Sequence, residues 1–381
     1  MRKVYAILFF CCLTFPVWAQ YQTRVLHPNV HTLRMRHAEE NAVLQRPYLI
    51  LDNSGVVDGS DPQNALDISF DEFSHDARMY SYTVLHLNYD WTPSDLSSYE
   101  YLNGYTTADI IDYMQSLNTQ QIYTNYRFTF PNEDMQLTKS GNYVLIIYED
   151  GDVNNAVAHV CFSVVEPLAG ISVEVRGNTD TEYNGRYQQL DVNVQTANLD
   201  VRNPQDIKLV VRQNNRSDNQ VVVAKPTFVE PKRLRYQNQS ALIFEGGNEF
   251  RHFDTYSTYY AGYHVNRIRY AQGEYHAVLE LDEVRGTMGR GAGREGLPYL
   301  TEQDANGQWV VNCEKSDDVN TEADYMWVHF CLPVSEPIMN GYVFIGGDVF
   351  DNQYSAVNKM EYDAEQKCYY LYAYLKQGGY D

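Results

Sequence analysis

The chain has 381 residues, of which 44% are hydrophobic, and it carries 29 Lys and Arg against 50 Asp and Glu. This length predicts two to three domains at roughly 100–200 residues each. The formal net charge of −21 repels phosphate backbones and argues against nucleic acid as a partner. A mean hydropathy of −0.48 argues against a polytopic membrane protein.

Residues 1–19 have the layout of a secretory signal peptide. Two basic residues precede an apolar run from Val4 to Leu13, and residues 17–19 read Val-Trp-Ala before Gln20. This order of basic, apolar and small residues predicts cleavage between Ala19 and Gln20. The apolar run is shorter than the about 20 residues that span a bilayer. A lipoprotein signal through one of its two cysteines is the weaker alternative, because bulky phenylalanines crowd them.

Alternation of apolar and polar residues is the main pattern of the mature chain, and it predicts half-buried strands. The apolar members of the clearest runs are Leu66, Ile68 and Phe70; Leu85, Leu87, Tyr89 and Trp91; Tyr126, Phe128 and Phe130; Ile171, Val173 and Val175; and Leu190, Val192 and Val194. Turn sequences such as Asp150-Gly151-Asp152 separate the runs. Many short strands with regular turns predict an all-β chain built from sandwiches.

One segment, from Ala108 to Gln121, could instead form a helix. Ile110, Ile111, Met114 and Leu117 fit a single helical stripe within it. An apolar loop packed on a sheet is the alternative.

An internal repeat predicts where the sandwiches end. Residues 160–167 read Val-Cys-Phe-Ser-Val-Val-Glu-Pro, and residues 330–337 read Phe-Cys-Leu-Pro-Val-Ser-Glu-Pro. We expect each copy to be the last strand of a sandwich, because the closing proline has no amide hydrogen and ends the ladder.

The repeat therefore predicts tandem sandwiches of unequal size, followed by a short third segment. That segment is too small to bury a core of its own and is expected to stop in mid-domain. The predicted divisions are 20–45 as an N-terminal lead-in, 46–166 as the first sandwich, 167–336 as the second, and 337–381 as the start of an incomplete third.

Motifs of known enzymes are missing from the sequence. It has no Gly-x-Ser-x-Gly elbow, no His-Glu-x-x-His, no phosphate-binding P-loop and no Cys-x-x-Cys. We therefore predict no catalytic residues, no metal site and no cofactor. The glycine- and arginine-rich run 285–296 is interpreted as a loop between strands, or alternatively as a contact loop for an acidic partner.

Four cysteines follow the predicted signal peptide. Export would permit disulfides among them, but the sequence does not determine their pairing. They are Cys161, Cys313, Cys331 and Cys368.

Several stretches, in this order, resemble the type IX secretion system plug family of Bacteroidota. They are Trp-Thr-Pro-Ser-Asp-Leu at 91–96, Tyr-Arg-Phe-Thr-Phe-Pro-Asn-Glu-Asp at 126–134, Ser-Gly-Asn-Tyr-Val-Leu-Ile-Ile-Tyr-Glu-Asp-Gly at 140–151, Lys-Pro-Thr-Phe at 225–228, Gly-Gly-Asn-Glu-Phe-Arg-His-Phe-Asp at 246–254 and Thr-Glu-Ala-Asp-Tyr-Met-Trp-Val-His-Phe at 321–330. The resemblance extends from about residue 46 to 376.

The resemblance implies two immunoglobulin-like β-sandwiches and a third, starch-binding-module-like one. It implies a periplasmic protein at the inner face of the outer membrane, which closes the periplasmic mouth of the translocon barrel. The barrel is then the direct partner, and its cargo-shuttle outer-membrane subunit an indirect one. The family offers no catalytic residues to transfer.

Seven positions stand out within these family motifs. Trp91 is expected to fill the core, and the run 248–251 could form a buried polar network or an interface. The positions are Trp91, Asp95, Asn132, Glu133, Asn248, Glu249 and Arg251.

A secreted carbohydrate-binding or adhesin-like sandwich protein is the alternative function. It rests on the export signal and on the 33 tyrosines. Residues 346–351, where the related third domains often carry a tryptophan that could stack on a sugar, contain none.

Overall fold

Strands dominate the described part of the chain, which confirms the all-β prediction. The structure is a computed structural model that describes residues 20–39, 47–181, 186–246, 250–282, 304–314 and 316–381. The predicted signal peptide, the run 285–296, Asn248 and Glu249 lie outside these ranges. No helix in the described ranges has the length and apolar character needed to cross a bilayer.

A first sandwich packs two sheets face to face. Its strands are β1 (Arg24–Val25), β2 (Val30–His37), β3 (Leu49–Ile50), β4 (Leu66–Glu72), β5 (Tyr80–Leu87), β6 (Leu102–Gly104), β7 (Thr107–Ile110), β8 (Asp112–Gln115), β9 (Thr124–Phe130), β10 (Met135–Leu137), β11 (Gly141–Glu149) and β12 (Ala156–Val165), with a short helix α1 (Ser98–Tyr101). One sheet has the order β1-β12-β11-β5-β7, with β3 beside β12, and the other has the order β2-β4-β9-β8.

The sequence pattern explains this sandwich well. Leu66, Ile68 and Phe70 alternate along β4 and are fully buried between the sheets. Asp150 and Gly151 both have positive φ, of 56° and 71°, and they turn the chain from β11 into β12. These residue types adopt that conformation at low cost, so the hairpin follows from the local sequence.

The helix considered for 108–121 does not form. The segment forms β7 and β8, which lie at the edges of the two sheets and pair with β5 and β9. Ile111, which the helical stripe would bury, is 84% exposed at the corner between the strands. Pairing with existing sheet edges outweighs a stripe of four apolar residues, because strand preference depends on neighbours more than on local pattern.

A second, smaller sandwich follows. Its strands are β13 (Gly170–Arg176), β14 (Tyr187–Gln195), β15 (Leu209–Val211), β16 (Val221–Val223), β17 (Phe228–Glu230), β18 (Arg233–Tyr236) and β19 (Ile243–Glu245). The main sheet has the order β13-β14-β18-β17, with β19 beside β14, and β15-β16 form the facing pair. Ile171, Val173 and Val175 on β13 are 64%, 51% and 58% exposed, because the core of this sandwich does not reach that edge.

A third sandwich uses strands from both sides of the predicted boundary at residue 337. Its strands are β20 (Phe253–Asp254), β21 (Val265–Ala271), β22 (Glu274–Leu279), β23 (Trp309–Val311), β24 (Tyr325–Pro333), β25 (Glu361–Asp363), β26 (Cys368–Lys376) and β27 (Gly378–Tyr380), with a short helix α2 (Val319–Glu322). The sheets have the orders β21-β22-β24-β26-β25 and β20-β27-β23.

The predicted division between 167–336 and 337–381 is therefore corrected. β24, expected to be the last strand of the second sandwich, lies between β22 and β26 in the middle of a sheet. Nine consecutive residue pairs join β24 to β26, and one core contains residues from Phe253 to Tyr380. The Glu-Pro exit after β24 ends that strand, but it does not end the sandwich.

The first and third sandwiches meet through a buried ion pair. Lys376 Nζ lies 2.6 Å from Asp71 Oδ2, and the two side chains are 1% and 0% exposed. The Tyr325 hydroxyl donates to the same carboxylate oxygen at 2.7 Å. Asn125 donates to Oδ1 at 2.7 Å from within the first sandwich. The Asp71 carboxylate thus accepts hydrogen bonds from both sandwiches, and these bonds offset the cost of burying its charge.

Backbone contacts continue this junction beside the ion pair. The amides of Gln120 and Gln121 donate to the Asp324 carboxylate at 2.7 and 3.1 Å. The Leu117 amide donates to the Thr321 carbonyl at 2.9 Å. Side-chain and main-chain groups together therefore fix how the two sandwiches are oriented.

Replacing Lys376 by Met should destabilise the protein strongly. It leaves the Asp71 carboxylate buried without its cation, which costs about 3–5 kcal/mol. Asp71→Asn combined with Lys376→Met should lose less than the single variant, because no uncompensated charge remains. Urea unfolding would measure both, with Arg202→Met as control, since the Arg202–Asp200 pair is exposed and worth under about 1 kcal/mol. If Lys376→Met lowers the free energy of unfolding no more than the control does, the ion pair does not stabilise the junction as proposed.

His159 on β12 should make the stability depend on pH. Burial, followed by the charge of Arg24, lowers the pKa of His159 to about 4. An unfolded histidine titrates near 6.5, so the neutral ring is favoured on folding. This contribution is present above pH 6.5 and is lost as the pH falls towards 4. Urea unfolding at several pH values should give a shallower acid decline for His159→Gln than for the native chain, and identical declines would disprove this role.

Candidate functional site

The three sandwiches enclose a cleft of about 600 Å³. The first contributes the N-terminal segment, β2, part of β12 and the loop after β5. The second contributes the loop after β15, and the third contributes β23 with its flanking residues and the segment 348–353. A volume of this size falls within the range of ligand-binding clefts. Its most informative lining residues are Arg34, Trp91, Cys161, Arg212, Trp309 and Asp348.

Trp91 lies at the seam between the first and second sandwiches and not in the first core. Its ring packs on an apolar patch of the outer sheet face that includes Leu87 and Ile146. Its backbone has a φ of 65°, uncommon for a bulky residue, and its carbonyl accepts from the Tyr21 amide at 3.0 Å. The N-terminal segment therefore helps to hold the ring at the cleft.

Arg212 reaches across the seam and covers the Trp91 ring. Its Cζ lies 5.5 Å from the ring centroid, and its Nε donates to Gln220 at 2.6 Å. Burial lowers its pKa, and no carboxylate of the described residues forms an ion pair with it. The contact between cation and ring is thus a principal tie between these two sandwiches.

Cys161 is the thiol at this cleft, and its setting is that of a structural cysteine. Burial raises the pKa of Cys161 to about 12, so the thiol stays protonated at neutral pH. A protonated thiol is a poor nucleophile. Within the described ranges, no three His, Cys, Asp or Glu side chains lie close enough together to hold a metal ion. All four cysteines after the predicted signal peptide are free thiols.

Asn132 organises a turn within the first sandwich. Its Nδ2 donates to the Tyr82 hydroxyl at 2.7 Å, and its Oδ1 accepts from the Met135 amide at 3.1 Å. Glu133, next to it, is exposed. Tyr82 and Leu87 are about 16 Å apart along β5, so Asn132 and Trp91 lie towards opposite ends of that strand.

The other predicted positions are also separate from one another. Asp95 is exposed in the loop that follows Trp91. Arg251 forms an ion pair with Asp282 at 2.9 Å in the third sandwich, and both side chains are about one-third exposed. The predicted positions that the structure describes therefore do not form a single site.

Sequence reasoning missed the groups that join the sandwiches. Asp71 and Lys376 stand at the ends of apolar strand patterns, and the sequence analysis did not single them out. The available indication was a single lysine closing the apolar run Cys-Tyr-Tyr-Leu-Tyr-Ala-Tyr-Leu-Lys at 368–376. Its partner in the first sandwich is 305 residues away and leaves no local pattern.

Comparisons with known proteins match this architecture. The family model described as "Type 9 secretion system plug protein 1st domain" matches residues 30–166. The crystal structure of a hypothetical protein from Parabacteroides merdae is 35% identical, with a TM-score of 0.86. That similarity covers 95% of this chain and 86% of the other. No curated protein matches significantly.

The family is a non-catalytic structural one, associated with the type IX secretion translocon, and it suggests a location in the periplasm or at the outer membrane. Its model covers the first sandwich, and the similarity to the Parabacteroides merdae protein covers 95% of the chain. This chain belongs to the type IX secretion system plug protein family.

Proposed function

We propose that the protein is a non-catalytic plug that closes the periplasmic mouth of the outer-membrane translocon barrel. In this proposal residues 1–19 direct export and the mature chain acts in the periplasm, bound to the barrel. The cargo-shuttle outer-membrane subunit displaces it when cargo is present. The observation that carries the proposal, together with family membership, is the buried junction between the first and third sandwiches.

That junction supports a plug because a seal must keep its shape while solutes and pressure act on it. Asp71 and Lys376 pair with almost no exposure to water, so separating the sandwiches would break both this pair and the hydrogen bond from Tyr325 to Asp71. The Tyr123 hydroxyl adds a bond to the Ala323 carbonyl at 2.8 Å. The two sandwiches therefore form one broad, stiff body.

The second sandwich is held to this body by weaker contacts at the cleft. Arg212 lies over Trp91, and Arg216 donates to the Tyr354 hydroxyl at 2.6 Å with its guanidinium 5.6 Å from that ring. The Tyr354 side chain is 53% exposed, unlike the buried groups of the other junction. Such contacts contribute about 0.5–2 kcal/mol each. We propose that a displacing subunit moves this sandwich first.

The carbohydrate-binding alternative has less support at the cleft. Sugar-binding sites commonly use open tryptophan faces. Here Arg212 covers one face of Trp91, and Tyr380 stacks on Trp309 at 5.9 Å with the ring planes 7° apart.

Replacing both Arg212 and Arg216 by Ala should loosen the second sandwich without unfolding the chain. Losing two cation–ring contacts costs about 1–4 kcal/mol, so open conformers should increase about fivefold or more. Small-angle X-ray scattering should then give a larger radius of gyration. Arg202→Ala, which alters an exposed pair in the same sandwich, is the matched control. Identical scattering of the double variant and the control would show that these contacts do not hold the sandwich.

Deleting the gene should make the outer membrane permeable to large solutes. The expected result is uptake of vancomycin, which intact outer membranes exclude, and its reversal by the native chain. Cells that lack both this protein and the barrel should stay impermeable. Impermeable cells that keep the barrel but lack this protein would contradict the plug proposal.

A further inference from the structure

The third sandwich has a basic edge, formed by strand β21. β21 is the outermost strand of its sheet, and β22 is the strand that pairs with it among the described residues. An unpaired strand edge offers backbone donors and acceptors to another extended chain. We call β21 the basic edge because Arg267 and Arg269 are exposed on it in a chain of net charge −21.

The hairpin that joins β21 to β22 determines which backbone groups are free. Gln272 and Gly273 form its two-residue turn, with φ of 56° and 90°. Such a turn makes Ala271 and Glu274 a hydrogen-bonded pair, and the pairs then alternate along the ladder. The amide and carbonyl groups of Ile268 and Tyr270 therefore point away from β22, towards the open edge.

The two arginines share one face of the sheet with a pair of histidines. Arg269 lies opposite His276, and His276 Nδ1 is 2.9 Å from His329 Nε2. The pKa of His329 falls to about 4 through burial, then through His276 and the charges of Arg269 and Arg267. In the described part of the chain, neither guanidinium has an ion pair with a carboxylate. The nearby Glu274 accepts a hydrogen bond from Trp327 Nε1 at 2.9 Å.

We propose that the basic edge binds an extended strand of a partner protein that carries carboxylates two residues apart. The incoming strand would pair antiparallel, with backbone hydrogen bonds to Ile268 and Tyr270. Its carboxylates would then lie opposite Arg267 and Arg269, at non-hydrogen-bonded positions where the Cα atoms approach to about 4.5 Å. Tyr270, 57% exposed, points to the opposite face of the sheet, where its hydroxyl donates to Gln120 Oε1 at 3.2 Å.

The negative net charge of the chain opposes the approach of an acidic strand, so the attraction between its carboxylates and the two arginines acts only at short range. At physiological salt, charges more than about 8 Å apart are largely screened, so the two arginines dominate once the strand has docked. Recognition of this kind combines backbone affinity with side-chain specificity at alternate positions. The proposal does not depend on plugging, so its failure would leave the plug function untouched.

Fluorescence polarisation with two labelled eight-residue peptides tests the charge requirement. One peptide alternates threonine and glutamate, and the other replaces each glutamate by lysine. The full chain should bind the glutamate peptide at least tenfold more tightly. Arg267→Glu combined with Arg269→Glu should reverse that preference. Arg202→Glu, an exposed arginine of the second sandwich, should leave it unchanged.

A proline substitution tests the backbone requirement. Tyr270→Pro removes the outward amide hydrogen, and prolines are tolerated at strand edges. Tyr270→Thr loses the same phenol but keeps the amide, so it is the matched control. Binding should fall at least tenfold further in the proline variant. If that variant fails to fold, the charge reversal alone decides.

Three outcomes would overturn the proposal: equal affinity for both peptides, an unchanged preference in the charge-reversed variant, or equal binding by folded Tyr270→Pro and Tyr270→Thr.

Discussion

The pairing of Lys376 with Asp71 is the interaction on which the overall arrangement depends. Each charge would be costly to bury alone, so the sequence must bring both to the same place. Lys376 also lies 4.1 Å from the centroid of the Tyr123 ring, so both sandwiches supply its surroundings. Only one relative position of the sandwiches satisfies all these groups. The ion pair therefore specifies orientation, while the apolar cores of the sandwiches supply most of the stability.

The three sandwiches are joined unequally, and that inequality bears on the proposed plug function. The first and third share buried charges and backbone hydrogen bonds. The second touches them through arginines stacked on aromatic rings around a water-accessible cleft. A body of this kind can resist deformation as a whole and still offer one part that moves at low cost. Family membership indicates an assembly with the translocon. The thiol at the described cleft, Cys161, is protonated and is therefore not an activated nucleophile.

Local sequence predicted the positions of several strands but little of how the strands pair and pack. Alternation identified β4, β9 and β14, and Asp150-Gly151 identified a hairpin, because these features depend on neighbouring residues. The segment 108–121 was misassigned because it pairs with β5 and β9 at the edges of two sheets, and a stripe of four apolar residues does not reveal that pairing. The boundary at 337 failed for a related reason, since the partner strands β24 and β26 are separated by a long connection. No local pattern could reveal that Asp71 forms an ion pair with a lysine 305 residues later.

The path of β27 has a consequence for the order of assembly. This strand inserts between β20 and β23. β20 precedes it by more than a hundred residues. The smaller sheet of the third sandwich therefore cannot form until β27 is available for pairing. In the first sandwich β1 and β3 pair with β12, more than a hundred residues later in the chain, but no strand of it lies beyond Val165. It can therefore fold before the third sandwich is complete, since pairings that involve later residues form later. Docking of the two should accordingly be a late step, in which an already folded surface carrying Asp71 receives its partner.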